Sequence, residues 1–285
     1  MRTILPWALA IGLASPANSL PAQATRPASP DSTTQNRPKS ATYDPKTERQ
    51  VFNLANLARA EAQVPPLQLD PGLTRAARQH AAVMAEHRQI SHQFSGEPSY
   101  TQRIAANCAL HLDETAENVA LAEGALDAHE GFMLSPMHRA NLLHPSYNVV
   151  GIGVARRGST FYVVQDFGRD LPIYSGKEAT KLLAEAIART RRQAKLPPLD
   201  RHEDGSEQAE ACRMSQTDSV KVSRSQYPVN SRFVLHYTSM QPDALPAAAV
   251  KVVRDGSIHA FAAGACFARS RSYPGGAYWM VVVLY

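Results

Sequence analysis

The chain has 285 residues, 44% of them hydrophobic, with 30 Lys and Arg against 25 Asp and Glu for a net charge of +5. That length accommodates one or two domains, and that apolar fraction supplies a real core. The charges are scattered, with no basic block interleaved with aromatics to suggest nucleic acid, and nothing after the N-terminal leader is long and apolar enough to span a bilayer.

The first 24 residues read as a secretory signal peptide. Arg2 gives a positive start, Leu5 to Leu13 an apolar stretch, and Ala22-Gln23-Ala24 a small-residue cleavage site. Pro6, Pro16 and Pro21 argue against a buried helix. Removal takes away Arg2 and no acid, leaving 29 basic against 25 acidic residues, or +4. No Cys follows the apolar stretch, which speaks against a lipoprotein anchor. The leader implies a secreted, periplasmic or extracellular protein, where disulfides are permitted. The cysteines are Cys108, Cys212 and Cys266. Sequence does not assign pairs and an odd count leaves one over; Cys212–Cys266 is the pair expected.

Residues 25–45 form a Pro/Ser/Thr-rich linker without apolar period. A first domain is expected over 46–172 and a second over 173–285. A helix begins near Lys46, with Phe52, Leu54, Ala55 and Leu57 on its apolar face, and stops before Pro65-Pro66. A second helix follows Asp70-Pro71-Gly72, with Asp70 as cap. Residues 88–115 read as loop around a short helix, and Thr115 caps a turn carrying Glu117 and Asn118. A helix runs from about Ala125 to Leu134, and Ser135-Pro136 starts another. Strict alternation over 148–156 and 160–167, across the turn Arg157-Gly158-Ser159, predicts a β-hairpin.

The chain then echoes itself. LANLARAEAQVPPL at 54–67 returns as AIARTRRQAKLPPL at 186–199, with Arg59 matching Arg191 at an offset of 132. The hairpin at 151–167 returns loosely at 264–285. Two echoes in one order suggest a duplicated unit.

Three side chains stand out chemically. His92 follows the second helix, Glu117 sits in TAENVA, and His138 falls in the first turn after Ser135-Pro136. The positive end of a helix dipole disfavours imidazolium, and a neutral imidazole is what a metal ligand or general base must be. Among ten histidines, any single one is more often a satisfied surface or core residue than a ligand.

In order, the chain carries Asn56-x-x-Arg59, His80-x-x-x-Met84-Ala85, Ser91-His92, Ala116-Glu117-Asn118, Ser135-Pro136-x-His138-Arg139, Gly151-Ile152-Gly153-Val154 and Tyr162 to Phe167. This ordered set, over roughly 120 residues from 52 to 168, resembles the CAP superfamily, or SCP domain (cysteine-rich secretory proteins, antigen 5 and pathogenesis-related 1), in its bacterial form. The resemblance implies an α/β fold: a three-layer α–β–α sandwich, here followed by a smaller α+β, degenerate CAP-like domain without the Ala-Glu-Asn or Ser-Pro-x-His signatures. It also implies a cleft floored by two histidines and two acids that hold a divalent cation. His92, Glu117 and His138 match three of the four, with Asn118 and Ser135 in support. Ser135 stands where the fourth, a Glu, is expected, and Glu130 is nearby.

A binding module is expected, with weak zinc possible and no organic cofactor. Its partner is a small lipid, a peptide or a cell-wall or envelope ligand. The alternative is a hydrolase, with His92 or His138 as base, Glu117 orienting it, and Ser91, Ser95 or metal-bound water at the reacting centre; neither GxSxG nor HExxH is present. A third reading is an envelope protein docking through Tyr273, Tyr278 and Trp279, residues that more often pack in a strand core.

Overall fold

Asp44 begins the first helix: its side chain accepts from the Thr47 backbone N–H at 3.0 Å, with Pro45 in the first turn. The computed structural model describes residues 42–203, 205–221 and 227–285. The leader and most of the linker lie outside these residues. Within the expected linker, Thr42–Tyr43 (β1) already pairs with a strand and Asp44 caps Pro45–Glu61 (α1). The buried face of α1 is Val51, Ala55, Ala58 and Arg59, while Leu57 is 57% exposed. The true apolar stripe is thus rotated from the one counted in the sequence.

Gln68–Leu69 (β2) leads into Pro71–His87 (α2), capped by Asp70 at 2.7 Å. Tyr100–Asn107 (α3) starts with a capping box between Ser99 and Gln102. Leu112–Ala122 (β3) corrects the expected turn: Glu117 and Asn118 lie inside an 11-residue strand. Local polarity suggested a turn, but antiparallel pairing with Thr160–Asp170 (β5) decides the conformation. Ala125–Leu134 (α4), Pro136–Leu142 (α5) and Val149–Arg157 (β4) fall where the pattern predicted them.

The sheet runs β1–β4–β5–β3, with β2 parallel beside β4. One face carries α1, α4 and α5 on Val150, Ile152, Val154, Val163 and Phe167. The other carries α2 on Val119, Ala155, Tyr162 and Val164. The helix α2 lies directly on β4, because a Cβ on Gly151 or Gly153 would come within 2.1 or 2.2 Å of its backbone at Leu73 and Ala77.

The second half repeats this order. Gly176–Gln193 (α6) precedes Asp200–His202 (β6), Ser206–Thr217 (α7), Phe233–Ser239 (β7), Ala247–Val253 (α8), Ala260–Ala268 (β8) and Ala277–Leu284 (β9). Its sheet is β6–β8–β9–β7, with β6 parallel to β8 and the other pairs antiparallel, the same plan as β2–β4–β5–β3. Cys212 on α7 is bonded to Cys266 on β8, and Cys108 is free and buried. Tyr278 and Trp279 are core residues at 0% and 1% exposure, as their strand position predicts, and Tyr273 is half-buried.

The deepest likeness is in two arginines. Arg59 is fully buried and donates from Nε to the Pro65 carbonyl, from Nη1 to those of Leu142 and His144, and from Nη2 to Tyr147. Arg191 donates in the same order to Pro197, Val253, Asp255 and Ile258. The pairs 142/253, 144/255 and 147/258 share one spacing of 111 residues, against 132 for 59/191, so 21 residues fewer lie between the arginine and its loop in the second half.

Lysine cannot reach four carbonyls with one ammonium. Arg59→Lys will therefore destabilise the chain by about 3 kcal/mol, since buried carbonyls lose their donors. Urea unfolding of the two proteins measures it, and an unchanged midpoint would show that the clamp is dispensable.

Candidate functional site

The register of β3 on β5 sets Glu117 opposite Asp166 and Asn118 opposite Gln165. Because strand side chains alternate, Glu117 and Asp166 share the α2 face near the end of the sheet. All four are buried. Loop 88–99 and α3 cover this end, and they supply the groups that make it polar.

Glu117 is the hub. Its Oε1 meets His92 Nδ1 at 2.8 Å, and its Oε2 accepts from Arg103 Nη2 at 2.6 Å. Arg103, 3% exposed, also donates to the carbonyls of Pro98 and His92 and lies 3.5 Å from Glu97. Glu97 in turn meets His80 Nδ1 at 2.7 Å, and the other ring nitrogen of His80 meets the Ser91 carbonyl at 2.7 Å. The residue before His92 is thus tied to the fully buried His80 on α2. The sequence offered His80 as part of a motif but gave no sign that it braces the loop carrying His92.

Glu117 fixes the tautomer of His92. A carboxylate at Nδ1 takes a proton there, which leaves Nε2 of a neutral ring as an acceptor. The His92 side chain is 46% exposed, so that nitrogen is accessible.

His138 lies on α5, near enough to His92 for the two rings to interact electrostatically. Ser135 occupies the N-cap position with Pro136 next, as the sequence predicts, although the serine side chain makes no capping hydrogen bond. Asn118 donates to the His138 carbonyl at 3.0 Å and to Gln165 Oε1 at 3.1 Å, while Asn141 donates to Asn118 Oδ1 at 3.0 Å. This amide chain ties α5 to the sheet. The His138 ring packs edge-on to Phe132, with centroids 5.5 Å apart. Partial burial first, and the charge of His92 second, hold its imidazole below the ordinary value. Glu130 does not join the cleft; it lines a surface groove with Gln50 and Asn53 of α1.

Asp166 enters the sequence reading only as part of the Tyr162–Phe167 motif, with no role attached to it. It is 0% exposed, and the carboxyl group that meets its own is that of Glu117. Burial first and the Glu117 charge second push its carboxyl well above the usual range, against the pull of Arg103. Burial thus favours the protonated form of Asp166.

As a cation site the residues fit in part. Both Glu117 oxygens are engaged, and no group of three or more His, Cys, Asp or Glu side chains arranged for a metal occurs among the described residues. What remains is two imidazoles, one backed by a carboxylate in the manner of metal-bound histidines. That is short of the three protein ligands of a typical catalytic zinc site.

Residues 52–167 match the model of CAP, the Cysteine-rich secretory protein family, and the α–β–α layering of this part of the chain agrees with that match. Among curated relatives, the uncharacterized protein YkwD of Bacillus subtilis is 27% identical over 115 residues, 39% of this chain and 44% of that one. The uncharacterized membrane protein YlbC of the same organism is 30% identical over 125 residues, 42% and 34% of the two chains. Both matches span less than half of the relative's length. Among solved structures, an extracellular protein containing a SCP domain from Bacillus anthracis is 26% identical over 44% of this chain and 40% of its own, with a TM-score of 0.40.

The raised carboxyl of Asp166 has a signed consequence. Its carboxyl holds a proton in the folded protein that the unfolded chain releases above about pH 4. Its contribution to stability is thus full below that pH and falls as pH rises toward the elevated folded value. Asp166→Asn, a neutral isostere, will melt at a higher temperature than the parent at pH 7, with the difference shrinking toward pH 4. A thermal melting series from pH 4 to 8 on both proteins measures it; a variant less stable at pH 7 than at pH 4, relative to the parent, would mean Asp166 is ionised.

Proposed function

We propose that the first half is an exported binding module whose His92–Glu117–His138 cleft takes a divalent cation weakly, together with or in place of a small lipid, peptide or cell-wall ligand. The observation that carries this reading is the Glu117–His92 contact at 2.8 Å, with Glu117 itself anchored by Arg103. It presents one preoriented imidazole nitrogen in a cleft shared with a second, neutral imidazole. Exposed apolar side chains close to His138 in the chain, Met137 at 55% and Leu134 at 83%, favour a ligand with an apolar part. The Cys212–Cys266 bond agrees with export to an oxidising compartment, and no helix among the described residues is long and apolar enough to cross a membrane.

The second half is read as a degenerate copy of the first. The repeated arginine clamp and the repeated strand order support it. Matched through the strand registers, Glu117, Asn118, Gln165 and Asp166 correspond to Val234, Leu235, Val282 and Val283. All four of these polar strand positions are aliphatic there, so the copy lacks the buried carboxylates and amides of the first half.

The hydrolase alternative has less support. Ser91 Oγ donates to the Gln93 carbonyl, and neither imidazole has a serine hydroxyl partner among the described residues.

Zinc calorimetry on the full chain tests the proposal. Saturable one-site binding is expected, lost in both His92→Ala and His138→Ala. Glu117→Gln, which removes the charge behind His92, is expected to weaken it by about 10- to 100-fold. If zinc binding is absent, or survives both histidine changes, the cleft is not a cation site.

A further inference from the structure

Each sheet has two outer edges, and an uncovered edge of N–H and C=O groups is a template for another strand. Three of the four edges are blunted. β1 with β2, and β6, are two or three residues long. β3 is long but carries Asp113, Glu114 and Glu117, shifts register between Leu112 and Glu114, and is covered by α4 and α5, with Asn118 reaching the His138 carbonyl.

β7, in the matching place in the second half, has none of these protections. Its sequence FVLHYTS holds no formal charge, no proline and no lysine. It pairs with β9 over seven consecutive residues without a register shift. Between β7 and α8 there is no counterpart of α4, and α8 packs on α6 instead. Among the described residues no backbone group pairs with the outer edge of β7, and six of its seven residues are half-buried.

We infer that β7 is the self-association surface of this chain, pairing antiparallel with β7 of a second copy to join two four-stranded sheets into one of eight. The strand complements itself. About a two-fold axis at His236, Leu235 faces Tyr237 twice on one side of the sheet, and Val234 faces Thr238 twice on the other. These are aliphatic–aromatic and β-branched cross-strand pairs of the favourable kind, and an isologous contact closes at two copies. His236 would meet its own copy on the axis. Burial holds its imidazole below the ordinary value, against the pull of Glu210 and with that of Arg213 on α7, and its ring is engaged by the Tyr227 hydroxyl at 2.7 Å. At neutral pH the two rings therefore meet uncharged. The surface is independent of the cleft.

Three measurements on the full chain at neutral pH test this. Sedimentation of the unaltered protein is expected to show a monomer–dimer equilibrium, the mass doubling as concentration rises. Hydrogen exchange is expected to slow with concentration at the amides of residues 233–239. In His236→Cys the two thiols would lie about 5 Å apart at Cα in an antiparallel pair, within disulfide reach. Mild oxidation is expected to give a linked dimer, since Cys108 is buried and Cys212 and Cys266 are already bonded. A chain that stays monomeric with exchange at β7 unchanged overturns the inference, and is what an edge reserved for another protein's peptide would give. A dimer protected elsewhere and unlinked at His236→Cys overturns it equally.

Discussion

Arg59 carries a positive charge into the interior with no carboxylate partner among the described residues. Burial holds its guanidinium below the ordinary value, and only a full set of acceptors makes such a group tolerable. Four carbonyls supply them, from the Pro-Pro turn after α1 and from the loop between α5 and β4. Those carbonyls are fixed only if the turn, the loop and the helix are all in place. One side chain thus couples the start of the domain to the strand that anchors its sheet. The repeat of this clamp at Arg191 sets β8 in the second half as Arg59 sets β4 in the first.

With β4 set, the rest of the cleft follows by register. β5 pairs with β4, β3 with β5, and that chain of pairings puts Glu117 opposite Asp166 under the loop that carries His92. The electrostatics are economical. Arg103 stands among Glu117, Glu97 and Asp166, and burial pushes the Asp166 carboxyl upward against the pull of that guanidinium. What reaches the surface is an imidazole whose tautomer was decided several ångströms below it.

Much of this was legible in the sequence. The cap at Asp70, the Ser135-Pro136 start and the alternating hairpin are local signals, and the helices and strands they mark stand where expected. Motif order singles out His92 and Glu117, and the two side chains meet at 2.8 Å. Three things were not legible. Glu117 was assigned to a turn because a polar strand buried at one end lacks the alternation that identifies strands. Arg103 lies 14 residues from Glu117 and Asp166 lies 49 residues away, distances that only pairing and helix packing close. The apolar face of α1 was misjudged because its most important buried residue is an arginine, which no hydrophobic period would place inside.

The two halves also divide a labour. A domain with a row of buried acids, amides and a guanidinium gives up some cohesion to hold a site ready. Its neighbour fills the same positions with valine and leucine and adds a covalent cross-link between helix and sheet. His111 of the first half is wedged against Phe267 and Tyr278 of the second and bonded to the Met240 carbonyl at 2.7 Å. The second half therefore acts as a buttress: through His111 it holds the entry to β3, the strand that carries Glu117, from outside the first sheet.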